Sequence, residues 1–370
     1  MRITFILPGY AGQPSGGYRV VYEYANGLVK CGHTVTIIHP RSLFRSGPSL
    51  SIFPRIAREL KLFARFLKNG LRTKIISIPW QSVDSKVDLI SVPVLWPCFI
   101  PESDIVIATH WRTAEYVSVY PSNRGIGFYL IQHYETWDGP EARVNATWRS
   151  NLHKVVIAKW LSILGSRIGA EKISYIPNAI DHKNFYLTQP ISDRGPTVAM
   201  MYSGQRWKGA EEGIAALDRV KSVMPNLRAV LFGISARPKS LPLWIEYREN
   251  PTQAALRDEI YNRNSIYLCP SWSEGWGLPI TEAMACGCAV ISADNGGVHE
   301  FVEHYGSGLI ARVRDVEALV SALHELLGDE GLRQRLAQEG MRAVKSFTYD
   351  RSLGQLDKLL VSSIETAQAR

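Results

Sequence analysis

Short apolar runs, each followed by a longer amphipathic stretch, recur along the whole chain. Residues 2–8 predict a buried strand, 18–30 a helix with Gly32 just past its end, and 34–39 a second strand. That is the βαβ opening of a parallel α/β sheet. More strands are predicted at 105–108, 127–131, 154–158 and 172–176. The polar stretch 186–196, containing Pro and Gly, reads as a linker. A second series follows: a strand at 197–202, a helix at 210–223 and a strand at 228–232 ending at Gly233. Helical patterns fill 316–327 and 332–344, and a last helix runs from about Arg351 to Ala367.

A chain of 370 residues accommodates two such domains. With 46% hydrophobic and 21% charged residues it has an ordinary globular composition. Five scattered cysteines make neither a disulfide framework nor a metal-type spacing, so a reducing cytosol is expected. The apolar segment 3–7 is too short for a signal peptide, and 89–101 is broken by Pro93, Pro97 and Pro101, so neither spans a bilayer.

The net charge of +8 is unevenly placed. Residues 41–74 hold nine Lys or Arg against Glu59 alone, with Ile56, Leu60, Phe63 and Leu67 at helical spacing. Two readings stand: a domain helix with its basic side in water, or peripheral contact with an anionic membrane on the cytoplasmic face. No aromatic platform or recognised module supports nucleic-acid binding.

Candidate chemistry concentrates between Ser265 and Glu300. A strand at 266–268 ends at Pro270, a loop of Ser, Trp and Gly follows, and a helix runs from about Leu278 to Cys286 with Pro279 in its first turn. A helix N-terminus offers free N–H groups and a positive dipole end to a phosphate. Glu274 stands in the loop and Glu282 one turn inside the helix, a spacing suited to holding hydroxyls on either side of a bound diphosphate. Gly16 and Gly17 lie in a glycine-rich loop without the G-x-G-x-x-G order, and no acid caps the second strand, so a dinucleotide site is disfavoured. His110 and His133 follow predicted strands, at the edge where open α/β sheets place ligands.

The block P-S-x-x-E-G-x-G-L-P-x-x-E-A-M-A-C-G, from Pro270 to Gly287, resembles the signature of retaining glycosyltransferases of family 4. The resemblance extends over nearly the whole chain and is thin at 41–100. It implies the GT-B fold: an α/β protein of two Rossmann-like domains facing across a cleft. An acceptor-side domain would occupy 1–185, a nucleotide-sugar domain 186–350, and a helix over 351–370 would cross back onto the first. Pro177-Asn178-Ala179-Ile180-Asp181 resembles the turn that closes the first domain, with Ala179 in place of the usual Gly.

By the same resemblance, Arg206 and Lys208 clamp the donor diphosphate, although the family spaces them further apart. Gly204, Gly275, Gly277 and Leu278 line the donor, Glu274 binds its sugar and Glu282 its ribose. The Gly16–Gly17 turn faces the diphosphate, and the Gly296–Gly297 turn lets backbone approach the nucleotide. His133 sits near the reacting carbon. His110, Tyr134 and Trp137 lie on the acceptor side. UDP-glucose is the donor expected first, and the acceptor a polysaccharide or lipid-linked oligosaccharide. No D-x-D motif appears, so neither a metal nor another cofactor is expected. Rivals are a sugar-nucleotide epimerase, a phosphorylase, an NAD-linked oxidoreductase and a non-catalytic sugar-binding protein.

Overall fold

The computed structural model describes residues 1–43, 73–75 and 77–369. The basic segment 41–74 falls outside them except at 41–43, 73 and 74. The chain divides into two compact units, Met1–Pro177 with Asp350–Arg370, and Asn178–Tyr349. The first crossing thus falls inside the Pro177–Asp181 turn, ahead of the expected 185/186 boundary. The stretch 186–196, expected to be a linker, is instead packed onto the second unit. Arg194, 5% exposed, holds it there: its guanidinium donates to the carbonyls of Gln189, Tyr261, Asn264 and Cys286.

Among the described residues, the first unit is built on an eight-stranded sheet. Its strands are β1 (Arg2–Ile6), β2 (Thr34–Pro40), β3 (Thr73–Lys74), β4 (Asp88–Val92), β5 (Ile105–Ala108), β6 (Ile126–Ile131), β7 (His153–Val156) and β8 (Ile173–Tyr175). The order is β3-β4-β2-β1-β5-β6-β7-β8, parallel except for β3. The central strands are buried on both faces, as those of a parallel sheet covered by helices are; residues 3–6 of β1 and all four of β5 are buried. Helix α1 (Gly16–Lys30) follows β1 and buries Val20, Val21, Tyr24, Ala25 and Leu28, one helical stripe. It begins at Gly16, not at Tyr18: Ser15 is still extended, and both glycines belong to its first turn.

The second unit has a parallel six-stranded sheet ordered β11-β10-β9-β12-β13-β14. These are β9 (Thr197–Met201), β10 (Arg228–Gly233), β11 (Ile245–Glu249), β12 (Ile266–Cys269), β13 (Ala289–Ala293) and β14 (Leu309–Ala311). Its core gathers Val198, Met200, Leu217, Leu231, Leu268, Ile291 and Leu323. After helices α2 (Ala210–Val223) and α3 (Leu278–Ala285) come α4 (Val316–Gly328) and α5 (Glu330–Val344). Asp315 and Asp329 cap α4 and α5, accepting from the N–H groups of Ala318 and Leu332. The last helix, α6 (Tyr349–Gln368), returns to the first unit. There Asp357 meets His33 at 2.6 Å, Ser352 donates to the Pro177 carbonyl, and Leu353 packs on Gly27.

In both sheets the chain runs outward in two directions from a central pair, β1 and β5 in the first and β9 and β12 in the second. Such a switch point leaves a crevice at the strand C-termini, where ligands of open α/β sheets bind.

Candidate active site

In the second unit the loops leaving β9 and β12 meet at the switch point. Residues Arg206–Lys208 form one short 3-10 turn closed by Gly209. Trp272 N–H donates to the Trp207 carbonyl at 2.7 Å, tying the two loops together. Lys208 Nζ then donates to both oxygens of Glu274, at 2.8 and 3.0 Å. With side chains 20% and 12% exposed, this pair is largely withdrawn from water. The backbone of Glu274 is fixed as well, its N–H donating to the Asn295 carbonyl at 2.9 Å and its strand-like bridge reaching Gly296. Gly297 in turn lies against the Trp276 backbone.

Gly209 allows the loops to come this close. Its φ of +64° is left-handed, and a Cβ there would overlap the Pro270 carbonyl. Gly275 and Gly277 flank Trp276, which is buried against Phe347 and Phe301 at ring distances of 5.0 and 5.4 Å. Gly277 caps α3, and Leu278 opens it with Pro279 in its first turn. An anion beside Lys208 and the start of α3 would meet a cation and a helix dipole together.

Two expected donor residues are placed differently from Lys208. Glu282 is 5% exposed and accepts from Tyr261 Oη at 3.2 Å inside the second unit. Arg206 is exposed, with its guanidinium 5.6 Å from the Trp272 ring centroid. Arg314 shares that indole from 3.8 Å, and Trp272 Nε1 donates to Glu212. No hydrogen bond or ion pair joins Arg206 to Glu274, because the short 204–209 loop turns the Arg toward the indole. Gly204 is open, with nothing within 4 Å of an added Cβ.

In the first unit, Gly16 and Gly17 open α1 beside the β1 edge, and the Gly17 carbonyl accepts from Gln132 Nε2 at 2.9 Å. His133 follows β6; its ring stands edge-on to Trp137 at 4.5 Å and to Trp160 at 5.8 Å. Trp137 remains 46% exposed. Tyr134 Oη donates to Asn145 Oδ1 at 2.8 Å. His110 caps the helix Trp111–Val117, its Nδ1 accepting from Arg112 N–H, while Nε2 stands 3.4 Å from Asp138. Burial and Arg112 push its pKa down to about 3, so the ring is neutral and engaged within the fold.

A buried acid beside it carries no motif. Glu135 accepts from Trp111 N–H at 2.8 Å, and burial raises its pKa to about 8. Arg112 fixes the adjoining loop through the carbonyl and carboxylate of Asp138, at 2.8 and 2.7 Å. Asn295, Tyr261 and Trp272 also support the site. Only Asn295 had a sequence signal, as the residue before the Gly296–Gly297 turn. Among the described residues no helix is long and apolar enough to cross a membrane, and no acid, His or Cys cluster forms a metal site.

Comparison with known proteins follows the same division. The glycosyl transferases group 1 family matches residues 188–343. D-inositol 3-phosphate glycosyltransferase of Salinispora tropica is 31% identical over 128 residues, 35% of this chain and 25% of that protein. The same-named protein of Xylanimonas cellulosilytica is 27% identical over 230 residues, 54% of each. The chain therefore spans between a quarter and about half the length of these relatives. Sucrose-phosphate synthase of Thermosynechococcus elongatus superposes with a TM-score of 0.75 at 17% identity, covering 99% of both chains. HepE of Anabaena, in complex with UDP-glucose, gives 0.71 at 16%, covering 98% of this chain and all of that one. At such identities the superpositions carry the fold alone. Residues 188–343 thus belong to the glycosyl transferases group 1 family, in a chain that has the GT-B fold of glycosyltransferases.

Proposed function

We propose that the protein transfers a hexose from a nucleotide-diphosphate sugar, UDP-glucose first, to a hydroxyl of a polysaccharide or lipid-linked oligosaccharide, with retention and without a metal. The observation that carries this is the Lys208–Glu274 pair at the β9/β12 switch point beside the start of α3. A diphosphate seated there meets Lys208 and helix N–H groups, while the Glu274 carboxylate accepts from sugar hydroxyls. HepE of Anabaena has been crystallised with UDP and with UDP-glucose, which supports the choice of base and sugar.

In the proposed reaction the acceptor oxygen bonds to the anomeric carbon as the bond from that carbon to the diphosphate oxygen breaks. The acceptor proton passes to the departing phosphate on the same face. Charge accumulates on the leaving diphosphate, so Lys208 and the helix dipole stabilise the transition state more than the bound substrate. Glu282 serves the ribose, Arg206 the outer diphosphate oxygens, and His133 the sugar near the reacting carbon. The scattered cysteines, which make no disulfide framework, fit a reducing cytoplasm.

The test is slow donor hydrolysis across UDP-, GDP-, ADP- and TDP-sugars, with and without EDTA, in wild type and Glu274→Gln. One donor cleaved in EDTA, and spared by the variant, supports the reading. Failure to cleave or bind any nucleotide sugar overturns it.

A further inference from the structure

A cavity of about 660 Å³ opens on the second unit between the 182–192 segment and one stripe of α5. Residues Gln334, Gln338, Met341 and Arg342 form that stripe, Lys345 continues it just past the helix end, and Ala285 at the end of α3 contributes to the lining. The opposite wall is preformed. Asn262, fully buried, donates to the Tyr186 carbonyl and accepts from Thr188 N–H at 2.7 Å. Arg194 holds the Gln189 carbonyl, and Arg257 stacks on the Tyr186 ring at 4.8 Å.

Two chemistries meet in this space. Phe185, Leu187, Ile191, Ala285 and Met341 present apolar surface, and Leu187 stays 37% exposed. The charged members of the lining are basic, with no carboxylate among them. Arg342 pairs with Glu339, but Lys345 has no ion-pair partner among the described residues.

We infer that this cavity binds an anionic amphiphile, an acyl chain ending in a carboxylate or phosphate. The chain would lie on Phe185, Ile191 and Met341, and the head group would take the exposed Lys345. The volume is that of small-molecule sites, where apolar walls supply burial and a few polar groups fix orientation. The site is distinct from the β9/β12 crevice and does not rest on the proposed transfer reaction.

The experiment is calorimetric titration of the full chain with dodecanoate below its micelle concentration, and with dodecanol, in wild type, Lys345→Glu and Met341→Trp. One dodecanoate should bind per chain, about tenfold or more tighter than dodecanol. Lys345→Glu, an exposed substitution, should weaken the acid about tenfold and leave the alcohol unchanged. Met341→Trp should abolish both while Tm is retained. Equal binding of acid and alcohol, or indifference to Lys345→Glu, overturns the proposal. Co-sedimentation with phosphatidylcholine vesicles with and without phosphatidylglycerol separates the sources. Capture by the anionic vesicles that Lys345→Glu reduces identifies a membrane lipid, and dodecanoate binding without such capture identifies a free acyl anion.

Discussion

Gly209→Ala attacks the contact that brings the two donor loops together. An alanine Cβ at this position would sit 2.7 Å from the Pro270 carbonyl carbon and overlap its oxygen. Ordinary carbon–carbon contact is 3.5–4.0 Å, so one loop must move by about 1 Å. The left-handed φ of +64° adds roughly 1–2 kcal/mol for a residue with a Cβ. Overpacking adds about 1–3 kcal/mol. Together these lower the Tm of the second unit by roughly 5–15 °C. The displacement falls next to Lys208, whose pair with Glu274 has its length set by these loops. A misplacement of about 1 Å costs roughly 100-fold in rate. Donor hydrolysis, measured well below the new Tm, should therefore fall about 100-fold. Gly204→Ala is the control for folding, since nothing lies within 4 Å of its Cβ and its φ is not left-handed; its Tm should stay at the wild-type value. Wild-type Tm and turnover in Gly209→Ala would refute the account.

Three further outcomes are expected. Glu135 has its pKa raised to about 8 by burial, so between pH 4.5 and 8 the folded chain keeps a proton that the unfolded chain releases. Stability should therefore fall as pH rises through that window and level off above it. In Glu135→Gln this component should vanish in urea titrations at pH 5, 6.5 and 8; an unchanged pH slope argues against a protonated Glu135. Trp276→Ala removes a ring, 2% exposed, packed on Phe301 and Phe347, and should cost about 3–5 kcal/mol by denaturant unfolding; a cost under 1 kcal/mol contradicts that packing. His133→Ala should lower turnover of the donor by roughly 100-fold, within the range for a positioned acid–base or polar group, with nucleotide affinity unchanged. Parallel loss of nucleotide affinity would instead give the ring a role in donor binding.

Local patterns fixed much of this protein. Helices such as Ala210–Val223 and strands such as Ile105–Ala108 follow from apolar periodicity, because each element must bury one face whatever surrounds it. The Pro270–Gly287 block was legible because a strand end, a helix start and two acids lie within one short stretch. Tertiary structure decided what depends on distant partners. It placed β9 beside β12, and only that adjacency puts Lys208 against Glu274, 66 residues away. It turned Arg206 toward Trp272 and Arg314, and it set His110 as a helix cap rather than an open ligand. Glu135 had no readable signal, since an acid's environment is made by the elements folded around it. The 186–196 stretch misled for the same reason: its polar composition reads as a linker, but the Arg194 guanidinium meets four carbonyls that only the folded second unit assembles.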